Sequence, residues 1–163
     1  MKIYSTIQIL VLVAYAACVP LHPVQAADAP NGSRPAIYDE SADGSEQIAA
    51  ALAEAKSGNK RVLLQFGANW CPWCHLLHDL FAEDPAISEV LTTDYVVVLI
   101  DVNQGHNTLV DEVYGNPTNL GLPVLVILDA DGRQLTTQNT GDLEKGNAHD
   151  PAKVLAFLKK WAS

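Results

Sequence analysis

Two cysteines separated by two residues are the side chains of this sequence best suited to chemistry. Cys71 and Cys74 lie in the segment Trp70–His75 (WCPWCH), shortly after the apolar run Arg61–Phe66. Cysteines at positions i and i+3 of a first helical turn lie about 5 to 6 Å apart at Cα, where a disulfide closes without strain. The spacing therefore predicts a pair that opens and closes reversibly in thiol-disulfide exchange.

The predicted start of a helix at this pair gives the two cysteines different roles. A helix that begins near Cys71 directs unpaired backbone N–H groups toward the Cys71 sulfur, and these stabilise thiolate over thiol. Cys74 lies one turn into the helix and closer to the packed sheet. We therefore expect both residues to be catalytic, with Cys71 as the nucleophile and Cys74 as the resolving cysteine.

The same motif also permits metal chemistry. C-x-x-C-H is the attachment motif of c-type haem, with His75 as the iron ligand. The usual second ligand is absent, because Met1 is the only methionine, and three apolar strand-like runs disagree with a mostly helical cytochrome. Zinc bound by Cys71, Cys74, His75 and His78 is disfavoured because adjacent Cys74 and His75 point apart. We expect no cofactor and no metal, and keep haem as a less favoured alternative.

The first 26 residues have the pattern of a signal peptide. Lys2 precedes the apolar stretch Ile3–Ala17, and Val24–Ala26 forms a suitable cleavage site. The stretch is shorter than the roughly 20 residues of a membrane span. Cleavage removes Cys18 and predicts a periplasmic or secreted protein with a single cysteine pair. A lipoprotein anchored through Cys18 is less favoured, because Tyr15 occupies a position where such signals usually carry an aliphatic residue.

Composition limits the remaining organisation to one domain. The chain has 163 residues and a formal net charge of −9, with acidic residues spread along it. This charge argues against nucleic acid as a partner. Pro30, Gly32 and Pro35 indicate a flexible leader over residues 27–40, and residues 41–163 form the predicted domain, which we expect to be monomeric.

Helical and strand-like patterns alternate along this domain. Asp43 with Glu46 predicts a capped helix that stops near Ser57–Asn59. Further helices are expected from Cys71, from Asp84-Pro85 and from Asp150-Pro151, with a short one near 108–114. Strands are expected over 61–66, 95–100, 124–128 and 134–138, the last two forming an antiparallel hairpin. This order predicts an α/β sandwich with a mixed central sheet of about four strands.

This order, together with two motifs, resembles the thioredoxin-like family over nearly the whole predicted mature chain. Phe66–Cys71 (FGANWC) is similar to the family's active-site lead-in. Gly121–Pro123 (GLP) most resembles the periplasmic C-terminal domain of the transmembrane thiol:disulfide interchange reductases. The resemblance implies a three-layer sandwich and a cis peptide bond at Pro123, facing the cysteines. It also implies a substrate groove formed by Trp70, Pro72, Trp73, Leu122 and Pro123.

The same resemblance implies partners and a direction of reaction. Protein thiols or disulfides are the expected substrates, and a membrane thiol reductase is the candidate electron donor. The reductive direction is favoured, although Pro72 and Trp73 shift the potential in ways that the sequence does not fix. A non-catalytic alternative uses the same apolar groove only to bind unfolded or partner chains.

Two positions near the cysteines depart from the family pattern. Thioredoxins carry a buried aspartate six residues before the first cysteine, where it takes a proton from the second thiol, and this position is Gln65 here. The proton acceptor for Cys74 is therefore expected to be His78, where the interchange relatives carry an acidic residue, or water. A simpler interpretation assigns ordinary surface positions to all the histidines of the domain: His75, His78, His106 and His149.

Overall fold

The computed structural model describes residues 34–163. The predicted signal peptide, Cys18 and the first part of the predicted leader lie outside the described residues, so their assignment stays a prediction. Within residues 34–163, no helix is both long enough and apolar enough to cross a membrane.

Three of the five α-helices within residues 34–163 begin at the aspartates that the sequence indicated. The Asp43 carboxylate accepts hydrogen bonds from the N–H groups of Ser45 (2.7 Å) and Glu46 (3.3 Å). Asp84 and Asp150 cap later helices in the same way, each followed by a proline as the first helical residue. The helices are α1 (Gly44–Gly58), α2 (Pro72–Glu83), α3 (Pro85–Asp94), α4 (Thr108–Val113) and α5 (Pro151–Lys160).

Four strands form the central sheet: β1 (Arg61–Gly67), β2 (Tyr95–Asp101), β3 (Val124–Leu128) and β4 (Gln134–Asn139). Their order in the sheet is β2-β1-β3-β4. β1 pairs with β2 in parallel and with β3 in antiparallel orientation, and β3 and β4 form the predicted antiparallel pair. Two further short strands, β5 (Glu144–Lys145) and β6 (Ala148–His149), pair with each other outside this sheet. The predicted mixed four-stranded sheet is confirmed.

Alternating residues of the central strands cover the two faces of the sheet. Val62, Leu64 and Phe66 of β1 pack in a core cluster that includes residues of α1, such as Ile48 and Ala51. Leu63 packs on the opposite face. The cluster on that face is completed by residues of α2, α3, β3 and α5, including Leu77, Phe81, Ile87, Leu125, Ile127, Val154 and Leu158. The result is the expected three-layer sandwich, with β1 and β3 buried along most of their length.

The carboxyl end of β1 leads directly to the cysteine pair. Gly67 is the last residue of β1 and lies beside Asp101 at the end of β2. A short turn then brings Cys71 to the position just before the first residue of α2. Because β1 is buried and hydrogen-bonded on both edges, this turn is held on a rigid element.

Candidate active site

Cys71 is the N-cap residue of α2. Its backbone is extended, and its sulfur accepts a hydrogen bond from the Cys74 N–H at 3.2 Å. Pro72 occupies the first helical position, where a missing N–H costs nothing. The Cys71 sulfur thus receives both a direct N–H donor and the positive end of the helix dipole, and each favours its thiolate.

The two cysteines are joined in a disulfide, with their Cα atoms 5.3 Å apart. This distance lies in the range that the spacing predicted. Cys71 is 4% exposed, whereas Cys74 is fully buried. Solvent therefore reaches the pair from the side of Cys71.

A small cluster of buried and half-buried residues surrounds the pair. Cys71 and Cys74 pack with Tyr38, and the half-buried neighbours of this cluster include two of the predicted groove residues, Trp73 and Leu122. The cluster contains one buried residue that sequence reasoning missed, Tyr38.

The other predicted groove residues differ in their exposure. Trp70 is 65% exposed, and its indole N–H donates to Asn103 Oδ1 at 3.0 Å. Pro72 is exposed, whereas Pro123 is buried. The Leu122–Pro123 peptide bond is cis, and the Pro123 carbonyl accepts a hydrogen bond from the Thr140 hydroxyl.

Gln65 occupies a fully buried position on β1 behind Cys74. Its Nε2 donates to the Tyr38 hydroxyl oxygen at 2.7 Å and lies 3.5 Å from the Cys74 carbonyl oxygen. Its Oε1 is buried without a hydrogen-bond partner among the described residues. The amide therefore orders the side chains behind Cys74, but an amide does not take up a proton.

The interpretation of His75 as a surface residue is wrong. His75 is 4% exposed, and its Nε2 lies 2.7 Å from the carbonyl oxygen of Asn69, to which it donates. The helix turns this side chain back over the strand-to-helix turn, so the ring holds that turn in place. The Nε2 atom that would ligate haem iron is therefore already used within the domain.

His149 is also buried, contrary to its interpretation as a surface histidine. Its Nε2 donates to the Trp73 carbonyl oxygen at 3.1 Å, and its ring meets the Trp73 ring edge-on at 5.3 Å between centroids. Burial holds the pKa of His149 below its usual value, although the hydrogen bond to Trp73 opposes this shift. His149 is therefore a neutral side chain. It holds Trp73, which packs against the cysteine cluster.

The remaining two histidines lie in different surroundings. His78, the predicted candidate for proton transfer, is half-buried and lines a cavity with Phe81 and Leu99. No hydrogen bond within residues 34–163 joins it to Cys74. His106 is half-buried, and its Nδ1 lies 3.1 Å from the buried carboxylate of Asp101.

The segment before α1 is fastened to the turn that precedes Cys71. The backbone N–H groups of Ile37 and Tyr38 both donate to Asn69 Oδ1 at 2.9 Å. Asn69 Nδ2 donates in return to the Tyr38 carbonyl oxygen and to Glu40 Oε1, each at 3.0 Å. Residues 37–40, which fall within the predicted leader, thus contact the site directly.

Metal ligands are not gathered in this part of the molecule. Across residues 34–163, no group of three or more His, Cys, Asp or Glu side chains is placed to hold a metal ion. Within the same residues, the cysteine sulfurs receive one hydrogen bond, from the Cys74 N–H to Cys71 Sγ.

Two known proteins are similar to this chain in sequence. The chain is 31% identical over 132 residues to thiol:disulfide interchange protein DsbD of Salmonella typhi, covering 78% of this chain but only 22% of that protein. It is 28% identical over 121 residues to disulfide bond reductase DsbH of Chlamydia pneumoniae, covering 70% of this chain and 72% of that protein.

A solved structure and a family model agree with these relatives. A disulphide isomerase from Xylella fastidiosa Temecula1 superimposes with a TM-score of 0.68 and 33% identity, covering 76% of this chain and 95% of that one. A model of the thioredoxin-like family matches residues 44–130, which include β1, the cysteine pair and β3. With more than half of the sequence matched and the predicted sheet in place, the chain belongs to the thioredoxin-like family.

Proposed function

We propose that this protein is an exported thiol-disulfide oxidoreductase that reduces disulfides of other proteins. The observation that carries the proposal is the unequal environment of the cysteines: Cys71 is the N-cap of α2 with an N–H donor on its sulfur, and Cys74 is buried behind it. A structural disulfide needs no such asymmetry, whereas a two-step exchange reaction does.

The proposed reaction has two steps. The Cys71 thiolate attacks one sulfur of a partner disulfide, forming a mixed disulfide and releasing the other partner sulfur as a thiolate. Cys74, as its thiolate, then attacks the Cys71 sulfur, closes the Cys71–Cys74 disulfide and releases the second partner sulfur. Two electrons pass to the partner, and the protons of the two active-site thiols end on the partner thiols.

We assign the substrate groove to residues next to the cysteine pair in the sequence or in the cluster around it. Trp70 offers a large exposed apolar surface, Pro72 is exposed, and Trp73 and Leu122 pack against the cysteine cluster. Together with Pro123 they form the surface on which we expect a partner chain to lie. His78 remains a candidate for proton transfer, with water as its alternative.

Two further parts of the proposal rest on the sequence and on the relatives. The predicted signal peptide supports export to the periplasm or beyond, where the protein would act as a monomer. Two relatives are named an interchange protein and a disulfide bond reductase. These names favour the reductive direction, with a membrane thiol reductase that restores the Cys71–Cys74 dithiol.

Trapping with a defined substrate tests the mechanism. Insulin is mixed with wild-type protein and with the Cys74→Ala and Cys71→Ala variants, and the products are separated without reductant and identified by peptide mass spectrometry. We expect Cys74→Ala to accumulate a Cys71–insulin mixed disulfide and Cys71→Ala to accumulate little or none. Equal trapping by both variants contradicts the assigned roles. Failure of the wild-type dithiol to reduce insulin leaves the non-catalytic binding alternative.

A further inference from the structure

Tyr38 places a phenol hydroxyl next to the resolving cysteine. A Cβ atom added at Gly67 would lie within 3.0 Å of both the Tyr38 hydroxyl oxygen and Cys74 Sγ. The two atoms therefore lie near each other over the one residue of β1 that has no side chain. Tyr38 is 3% exposed and Cys74 is fully buried, so water is largely excluded from this contact.

The hydrogen bonds of the Tyr38 hydroxyl leave its proton free for a further acceptor. Its oxygen accepts from Gln65 Nε2 at 2.7 Å, which fixes the position of the phenol. A hydroxyl carries one hydrogen as well as its acceptor sites. In the disulfide form seen here this hydroxyl donates no hydrogen bond within residues 34–163, and the Cys74 sulfur lies near it over Gly67.

Several charged or titratable groups face this contact from the packed elements. Asp101 of β2 lies beside Gly67 and carries a buried carboxylate: Oδ2 accepts from the Asn103 N–H and lies 3.1 Å from His106 Nδ1, whereas Oδ1 has no hydrogen-bond partner among the described residues. Cys71 is adjacent on the other side, and the His75 ring is engaged with the turn. Burial raises the pKa of Tyr38 well above its usual value, and the charge of Asp101 adds to this effect. The phenol thus stays protonated and remains a hydrogen-bond donor.

A buried thiolate needs such a donor. Burial alone disfavours the charged form of a thiol and would slow the attack of Cys74 on the mixed disulfide. Gln65, which lies fully buried behind Cys74, is a neutral amide and takes up no proton. A hydroxyl directed at a thiolate forms a charge-assisted hydrogen bond, which is stronger than one between neutral groups.

We propose that Tyr38 assists the resolving step directly: in the reduced protein its hydroxyl, held by Gln65, donates a hydrogen bond to the Cys74 sulfur and stabilises the thiolate that attacks the mixed disulfide. The inference rests on the proposed function, because it assigns a role within that two-step reaction. Asn69 completes the arrangement, since it fastens the backbone of Tyr38 to the turn before Cys71.

Tyr38→Phe tests the proposal because it removes the hydroxyl and keeps the ring. The pKa of Cys74 is measured in a Cys71→Ser background from the alkylation rate against pH, read by mass spectrometry of the peptide that contains Cys74. We expect Tyr38→Phe to raise the Cys74 pKa by about one or more. Release of insulin from the Cys71 mixed disulfide should slow about tenfold near pH 7, with the first attack by Cys71 nearly unchanged.

Tyr95→Phe is the matched control. Tyr95 is also a 3% exposed tyrosine, and its hydroxyl donates to the Leu158 carbonyl oxygen at 2.8 Å, far from the cysteines in the fold. This variant loses one buried hydroxyl without touching Cys74, so the Cys74 pKa and the release rate should match the wild type. A shift of equal size in both variants would mean a general loss of stability and would overturn the role of Tyr38.

Two further measurements keep the outcomes separate. Asn69→Ala loosens Tyr38 through its backbone and should raise the Cys74 pKa in the same direction, which tests the inference even if Tyr38→Phe folds poorly. The role of Tyr38 is refuted if the wild-type protein reduces insulin but neither Tyr38→Phe nor Asn69→Ala changes the Cys74 pKa. That result leaves the proposed function intact. Wild-type protein that fails to reduce insulin refutes the proposed function itself.

Discussion

Replacing Gly67 by alanine tests the close packing behind the cysteine pair. The added Cβ would lie 2.7 Å from Cys74 Sγ and 2.7 Å from Tyr38 Cζ, and it would also overlap the Tyr38 hydroxyl oxygen. These atoms belong to a buried ring and to a sulfur held on α2, so they move only by displacing their neighbours. Adding a methyl group to a packed site of this kind costs about 1 to 3 kcal/mol.

A smaller effect opposes this cost. Alanine has fewer unfolded conformations than glycine, which stabilises a folded protein by about 0.4 to 1 kcal/mol where the backbone allows it. Gly67 lies in a strand, so the backbone allows alanine. The expected net change for oxidised Gly67→Ala is a loss of about 1 to 2 kcal/mol in the free energy of unfolding.

Urea denaturation of the oxidised protein, followed by tryptophan fluorescence, measures this change. Gly58→Ala is the control with the same chemical substitution: a Cβ there meets Lys60 Cγ at an ordinary 3.4 Å, so this variant should be as stable as wild type or slightly more stable. Gly67→Ala in a Tyr38→Phe background should lose about 0.5 kcal/mol less than in the wild type, because the overlap with the hydroxyl is gone. If Gly67→Ala is as stable as Gly58→Ala, then Tyr38 and Cys74 are not closely packed against Gly67.

Three other predictions follow from single contacts. Burial lowers the pKa of His149 in the folded protein, so the unfolded state takes up a proton at higher pH than the folded state does. The free energy of unfolding should therefore fall as pH drops through about 6.5. His149→Gln should flatten that fall in urea titrations. Asp43→Ala should cost about 1 kcal/mol of stability and Asp43→Asn much less, since asparagine also caps helices; equal losses would contradict the cap. Trp70→Ala should lower kcat/KM for insulin about tenfold at unchanged stability, and an unchanged kcat/KM would remove Trp70 from the groove.

The elements of the fold could be predicted because their signals are local. Asp43 with a periodic helix after it, and the hairpin turn before β4, each specify a structure within a few residues. The continuous apolar run of β2 likewise indicated a strand, although some of its residues remain partly exposed. The extra short strands β5 and β6 were missed because two-residue pairings leave no periodic pattern.

The cysteine pair was predictable, but its surroundings were not. Tyr38 lies 27 residues before Gln65, in a proline-containing segment that has no helical or strand periodicity. His149 reaches Trp73 across 76 residues. Contacts of this range depend on how the helices and loops pack around the sheet, so a single sequence gives no signal for them. Gly67 follows the predicted strand 61–66, where a glycine indicates a turn, so the sequence did not reveal the close approach at this position.

The redox equilibrium of Cys71 and Cys74 with glutathione measures whether this pair is redox-active. Oxidised protein is equilibrated in buffers of graded glutathione potential, quenched by alkylation, and the Cys71–Cys74 disulfide is quantified by mass spectrometry. We expect one reversible two-electron transition between about −270 and −120 mV, toward the lower end for a reductase. A pair that stays oxidised below about −300 mV would be a structural disulfide, and the protein would not be a thiol-disulfide oxidoreductase.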